Sequence, residues 1–265
     1  MTNPKYYVSR IKAKTSKPST SKDFGKRDWH THLKKIASII KKHTTTGYGW
    51  TEHRRLTDYD AIFVNSLNRF LSQKMKYGSL ADYIADQTHT LKRPLTILED
   101  GVGSGVIASD IKIMVKSGHR RIDDSRLPHI IGITLKAGEQ TKFWKERGKL
   151  DEVHEHIGEY FVPKKPVDMI LSTYGSIHYT PFPLLKDHLL KYSSSLNKGG
   201  IMLAVFDTAM RHSARIISES QQYNEVEYIK KNMNQIEQKF AKMGFKAQIT
   251  QNEEQQYVII VQRVR

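Results

Sequence analysis

Residues 97–105 read Ile97-Leu98-Glu99-Asp100-Gly101-Val102-Gly103-Ser104-Gly105. An apolar strand end runs into two acids, and glycine then takes every second position. The helix-like segment Val106–Lys116 follows directly. Such a strand–turn–helix lets backbone approach a ligand closely and turns N–H groups toward it. The dinucleotide fingerprint requires Gly-x-Gly-x-x-Gly, but here the third glycine comes one residue early and Val106 holds its place. The phosphate-loop motif requires Gly-Lys-Ser/Thr after its glycine loop, and this loop lacks it. Glu99, just ahead of the loop, would repel a pyrophosphate and suits a cationic ligand.

Outward from this turn, strand-like and helix-like segments alternate to the end of the chain. Leu95–Glu99, Ile130–Thr134, Val153–Ile157, Val167–Ser172 and Ile201–Phe206 read as strands. Helices are expected over Val106–Lys116, Gly138–Lys149, Leu184–Leu196 and about Tyr223–Met243. In the last of these Val226, Ile229, Met233, Ile236, Phe240 and Met243 form one stripe, and Gly244 supplies the stop. Phe245–Thr250 and Gln256–Gln262 close the chain as two strands with only a short turn between them. The pattern predicts an α/β fold: seven strands in a mostly parallel sheet, an antiparallel C-terminal hairpin at one edge, and helices on both faces.

Ahead of the sheet, residues 26–93 read as a helical cap. Asp28 is placed to cap a helix carrying Trp29, Leu33, Ile36 and Ile40. A second helix is expected to start at the capping box Thr57-x-x-Asp60 and to end at Gly78, and a third to start at Ser79-x-x-Asp82. Residues 1–25, rich in Lys, Ser and Thr, read as a basic flexible tail. The domain scheme is therefore tail 1–25, cap 26–93 and core 94–265.

Charge is distributed unevenly. The net charge is +16, and residues 1–42 alone carry 12 basic and 2 acidic groups. A basic end of this kind suits RNA, an anionic lipid surface or an acidic protein, and equally serves as a solubilising tail. The chain contains no cysteine, which excludes disulfides, thiolate metal sites and a cysteine nucleophile. The longest apolar run, Ile201–Phe206, is far short of a membrane span, and no signal-peptide pattern is seen, so a cytoplasmic location is expected.

The loop resembles the first motif of the class I S-adenosylmethionine-dependent methyltransferases: an apolar strand, an acid, one further residue, then Gly-x-Gly-x-Gly. Glu99, Gly101, Gly103 and Gly105 match it, while Asp100 stands where the family usually has an apolar residue. Further segments resemble later family motifs in order. His129-Ile-Ile-Gly-Ile-Thr134 is similar to the second strand, with Thr134 at the position whose usual acid holds the ribose hydroxyls. Ile157-Gly158-Glu159-Tyr160 is similar to the third-strand motif, with Glu159 toward the adenine amino group. Val167-Asp-Met-Ile-Leu-Ser172 resembles the fourth strand, and Leu196-Asn-Lys-Gly199-Gly200 the turn into the fifth.

The resemblance covers about residues 94–265. It implies a Rossmann-like core, S-adenosylmethionine as cofactor, and Glu99, Gly101, Gly103, Gly105, Thr134, Glu159 and Ser172 around it. Tyr174, His178 and Tyr179 follow the fourth strand and would face the acceptor. His178 is either a proton acceptor, with Tyr174 beside it, or a histidine packed under the cofactor. Tyr48 and Trp50 in the cap would contact substrate as a lid, or plug the join between cap and core. The pairs His30/His32 and His154/His156 lack an evident third ligand, so no metal is expected. The expected activity is methyl transfer to a small or medium-sized acceptor. The alternatives are an RNA or protein methyltransferase recruited by residues 1–42, and a methyltransferase-like binding module without catalysis, motivated by Asp100 and Thr134.

Overall fold

The computed structural model describes residues 55–265 except 75, 136, 157, 159–160, 174, 181, 208–218 and 252–255. The helix expected after Asp28, the pair His30/His32, and Tyr48 and Trp50 lie outside the described residues, as do Glu159 and Tyr174.

Seven strands form one sheet in the order β3-β2-β1-β4-β5-β7-β6. They are β1 (Thr96–Asp100), β2 (His129–Thr134), β3 (Glu152–Glu155), β4 (Val167–Thr173), β5 (Leu196–Asp207), β6 (Phe245–Gln251) and β7 (Gln256–Arg263). The pairs among β1–β5 are parallel, and β7 runs antiparallel to both β5 and β6. The mostly parallel sheet with its C-terminal edge hairpin is thus present, with β7 inserted between β5 and β6.

Helices α1 (Thr57–Phe70), α2 (Leu80–Leu91) and α3 (Val106–Ser117) contribute to one apolar cluster, and α6 (Phe182–Ser194) and α7 (Glu219–Lys242) to another. Between them in the chain lie α4 (Glu139–Glu146) and the single turn α5 (Ser176–Tyr179). Strand periodicity explains the division. Ile97, Leu203 and Ile260 belong to the first cluster, while Leu98, Ala204 and Ile259 belong to the second. A parallel sheet covered on both faces must be apolar on both, and β4 is buried at every residue. Helices α1 and α2 share their core with the sheet: Tyr59, Phe63, Leu67, Leu80 and Ile84 cluster with Ile97, Val205 and Val258. Among the described residues no helix is long and apolar enough to cross a membrane.

Three sequence expectations need correction. The box Thr57-x-x-Asp60 does not cap α1, because Leu56 is the N-cap and has no side-chain cap bond. The free N–H of Leu56 goes instead to the Asp110 carboxylate at 2.9 Å, and Asp60 accepts from the Leu80 N–H at 2.8 Å. Helix α1 ends at Phe70 rather than at Gly78. Ser72 turns the chain with φ 54°, and the Asn68 amide bonds both the N–H and the carbonyl of Tyr77, bringing Tyr77 back against the helix. Leu196, expected to end a helix, opens β5, and the pairing with β4 shifts between Val167 and Met169 near Gly199, whose φ is 81°. The Ser79 cap holds, accepting from the Asp82 N–H at 3.1 Å.

Candidate functional site

The register of the central strands assembles the site. Asp100 pairs with Ile133 of β2 and with Ser172 of β4, so the C-terminal ends of three parallel strands lie level. Open parallel sheets bind ligands at that edge. Glu99, Gly101, Gly103, Gly105, Thr134 and Ser172 are therefore brought together around the ends of β1, β2 and β4, and Gly158 adds the loop after β3.

The glycine loop needs its glycines for two reasons. Gly101, Gly103 and Gly105 have φ of 79°, 49° and 80°, the left-handed region that side chains disfavour. The loop is also crowded, since a Cβ on Gly101 would come 2.5 Å from the Cα of Gly175 in the loop after β4. The loop is tied to its neighbours by the N–H groups of Gly101 and Val102, which both donate to the Ile133 carbonyl. The Thr141 hydroxyl donates to the Gly103 carbonyl at 2.6 Å. Gly101→Ala is expected to destabilise the protein by about 2 kcal/mol or more, from backbone strain plus the clash. The check is a lower urea midpoint with an unchanged denaturant slope.

Glu99 is 1% exposed, and its Oε2 has no hydrogen-bond partner. Burial, with the Asp100 and Asp110 charges adding to it, pushes its carboxyl up to about 8, and only the Ala108 N–H counteracts. A buried carboxyl with one orphaned oxygen, surrounded by like charge, is an incomplete arrangement. A cation with hydrogen to donate would complete it.

Asp100, the departure from the family pattern, is equally buried but well partnered. Ser172 Oγ (2.8 Å), Ser176 Oγ (2.9 Å) and Tyr192 OH (3.0 Å) donate to it, and the Ile177 N–H approaches at 3.4 Å. Burial pushes this carboxyl up, and these four donors oppose the shift. The network continues to His188, whose Nδ1 lies 2.6 Å from Thr180 Oγ1 and Nε2 3.3 Å from Ser176 Oγ. Its ring stacks on Tyr192 with centroids 4.8 Å apart. Burial, helped by the Lys191 charge, lowers His188 to about 3, so this imidazole is neutral at any working pH. Asp100 thereby welds the loop after β4 to the glycine loop. Its partners lie 72–92 residues away in sequence, so the acid at an apolar position was the one visible signal.

Ser172 sits at the end of β4 with its hydroxyl donated to Asp100. Thr134 ends β2, half-buried, and its carbonyl accepts from the His156 N–H. His178 lies in α5 and is fully buried. Tyr179 ends the same turn. His154 and His129 both bond Glu152, at 3.0 and 3.1 Å, on the β2–β3 edge. Among the described residues no group of three or more His, Asp or Glu is arranged to hold a metal ion.

No family model matches the chain, and no curated protein matches it. Solved structures do. The 1,6-didemethyltoxoflavin-N1-methyltransferase of Burkholderia thailandensis, solved with 1,6-didemethyltoxoflavin and S-adenosylhomocysteine, aligns over 95% of this chain and 94% of its own, with 11% identity and a TM-score of 0.50. An rRNA methylase from Streptococcus thermophilus (11% identity, TM-score 0.42) and the N-methyltransferase NodS from Bradyrhizobium japonicum WM9 (9%, 0.42) each align over 70% of this chain and 94% of theirs. The chain has the Rossmann-like fold of the class I S-adenosylmethionine-dependent methyltransferases.

Proposed function

We propose that the chain is an S-adenosylmethionine-dependent methyltransferase acting on a small or medium-sized acceptor. The observation that carries this reading is Glu99: a buried carboxyl with an unpartnered oxygen, at the end of β1, beside a loop of three left-handed glycines. The cofactor is a cation with a sulfonium and an amino group, and it supplies a methyl carbon already activated for in-line displacement. What the chain has to do is align donor and acceptor and exclude water. In this reading Glu99 and the glycine loop hold the donor, with Thr134 and Glu159 along its nucleoside half. The acceptor approaches beside Gly175–Thr180, the loop that Asp100 fixes in place. Tyr174, Tyr179, Tyr48 and Trp50 are the side chains proposed to meet it. The full burial of His178 favours its packing role over proton transfer.

A second reading rests on the charge segregation. Twelve basic groups against two acidic ones in residues 1–42 suit recruitment to RNA or to an acidic protein. One experiment separates the readings. Purified protein is incubated with methyl-labelled cofactor and, separately, with small-molecule, RNA and protein fractions of a cell extract. Label in the small-molecule fraction is the expected result. Label in RNA or protein transfers the proposal to the second reading. Cofactor binding with no label in any fraction leaves a binding module without catalysis.

A further inference from the structure

The starts of β1, β4 and β5 and the end of antiparallel β7 lie side by side, because these strands are successive neighbours in the sheet. This edge is opposite the one that carries Glu99. Residues 91–96, 162–169, 195–200 and 262–265 build it, with seven basic side chains and one acid. The acid, Asp168, is already engaged by Arg93, the Thr96 N–H and Asn197. Arg263 donates to the carbonyls of Ser194 and Leu196. Lys92, Lys164, Lys165, Lys198 and Arg265 remain, all exposed and none in an ion pair among the described residues. Asp168 gathers the strand starts that carry them. Lys92 and Lys198 adjoin its partners Arg93 and Asn197, and the Asn197 amide also reaches the carbonyl of Pro166, beside Lys165, at 3.5 Å. At ordinary strand spacing, four adjacent strand ends span about 15 Å. Lys92 is the C-cap of α2 with φ 55°, a place glycine usually takes, so a basic side chain stands there at a conformational cost. Prolines 163 and 166 stiffen the segment that presents Lys164 and Lys165.

Aliphatic side chains border the cations. Leu91 is 44% exposed and Val264 49%. Met243, just ahead of β6, is 52% exposed, and the carbonyl of the next residue, Gly244, accepts from the Val264 N–H. The one exposed aromatic side chain among the described residues, Phe143, is on α4. Cations with aliphatic neighbours suit a phospholipid surface: headgroups attract the charges, and the acyl boundary takes up the apolar side chains. A surface for single-stranded RNA would interleave its cations with rings on which bases stack.

We propose that this edge docks the protein on an anionic lipid surface. The inference rests on the fold and its charges, not on the cofactor assignment. Docked this way, the glycine-loop edge faces away from the lipid, across strands about 20 Å long, and ligands reach it from solution. Each Lys or Arg close to such a surface strengthens binding about fivefold, and the attraction is screened as salt rises.

The test is co-sedimentation of the full chain with phosphatidylcholine vesicles, plain or containing about a third phosphatidylserine. Three variants accompany the wild type: Lys164→Gln/Lys165→Gln/Lys198→Gln on the edge, Leu91→Ser/Val264→Ser beside it, and Lys34→Gln/Lys35→Gln/Lys41→Gln in the basic N-terminal stretch. The wild type is expected to bind the serine-containing vesicles and not the plain ones. The edge triple should lose about 100-fold in affinity and the aliphatic pair about tenfold, while the N-terminal triple loses far less than the edge triple. The substituted lysines on the edge are exposed and unpaired, so thermal midpoints should match wild type. Should the edge triple not fold, Lys92→Gln/Arg265→Gln is read in its place, with a loss of about 25-fold expected. Wild type indifferent to phosphatidylserine, or edge variants that bind within about twofold of wild type, would overturn the proposal. Equal losses in the edge and N-terminal triples would also overturn it, since net charge alone would then account for binding. A labelled single-stranded RNA is titrated in parallel. An edge triple that loses RNA binding but keeps vesicle binding would assign the edge to nucleic acid and overturn the lipid proposal.

Discussion

Glu99→Gln is expected to stabilise the ligand-free protein at pH 8 and above while abolishing its affinity for S-adenosylmethionine. Both effects have one cause. Burial raises the Glu99 carboxyl from 4.5 to about 8, because the ionised form has lost water and gained little in return. In the unfolded chain the same group ionises near its ordinary value. Between about pH 4.5 and 8 the folded state therefore holds a proton that the unfolded state has released, and stability falls as pH rises through that window. The displacement corresponds to an upper bound of about 4–5 kcal/mol, of which relaxation leaves about 1–3 kcal/mol to be recovered. Gln imitates the protonated acid and cannot ionise, so the variant should lack this pH slope. Thermal midpoints from pH 5 to 9 check it: wild type declining toward pH 8, the variant flat over the same span apart from changes common to both. The same substitution removes the negative charge that a cationic ligand would pair with, and a loss of about 100-fold or more in affinity is expected.

The second large effect lies at the opposite end of the sheet. Asp168 is the second residue of β4, 7% exposed, and takes both terminal nitrogens of Arg93 at 2.7 Å, the Thr96 N–H at 2.9 Å and the Asn197 side-chain amide at 2.7 Å. One carboxylate thus joins the starts of β1, β4 and β5. Asp168→Ala leaves an arginine, an amide and a strand N–H without their acceptor. A loss of about 3 kcal/mol is expected, at the low end for a broken buried pair because Arg93 is nearly half exposed and keeps contact with water. Asp168→Asn, which keeps one acceptor oxygen, should lose less. Burial pushes the Asp168 carboxyl up, but Arg93, the Thr96 N–H and Asn197 outweigh it and hold the group below its usual range. Its contribution is thus complete above the ordinary aspartate value of about 4 and fades as pH falls through the lower folded value. The variants should differ from wild type in urea midpoint at pH 7 and converge toward it on acidification.

What the sequence disclosed and what it concealed follow from the reach of each interaction. The β1 turn was legible because its requirements are local: apolar residues that the sheet buries, then glycines whose φ values no other residue adopts easily. The strands were legible because burial on both faces leaves short, fully apolar runs such as Ile201–Phe206. The start of α1 was not, since its cap comes from Asp110 on α3, 54 residues away, and the nearby Thr57 and Asp60 only imitate a capping box. The start of β5 at Leu196 was hidden for a similar reason: it precedes an irregularity at Gly199 that only pairing with β4 reveals. At the site, Glu99 could be placed by motif, but its orphaned oxygen could not. Asp100 looked like a defect in the motif. In the fold it is the acceptor for hydroxyls from Ser172, Ser176 and Tyr192, residues that share no sequence neighbourhood with it.

A cationic methyl donor is proposed to complete the buried strand end at Glu99. Isothermal titration of the full chain with S-adenosylmethionine tests it most directly, with Glu99→Gln as the comparison. The expected result is one site of micromolar affinity in the wild type and no measurable heat in the folded variant. Folded wild type that takes up no S-adenosylmethionine, or a Glu99→Gln variant that binds it as tightly as wild type, would contradict it.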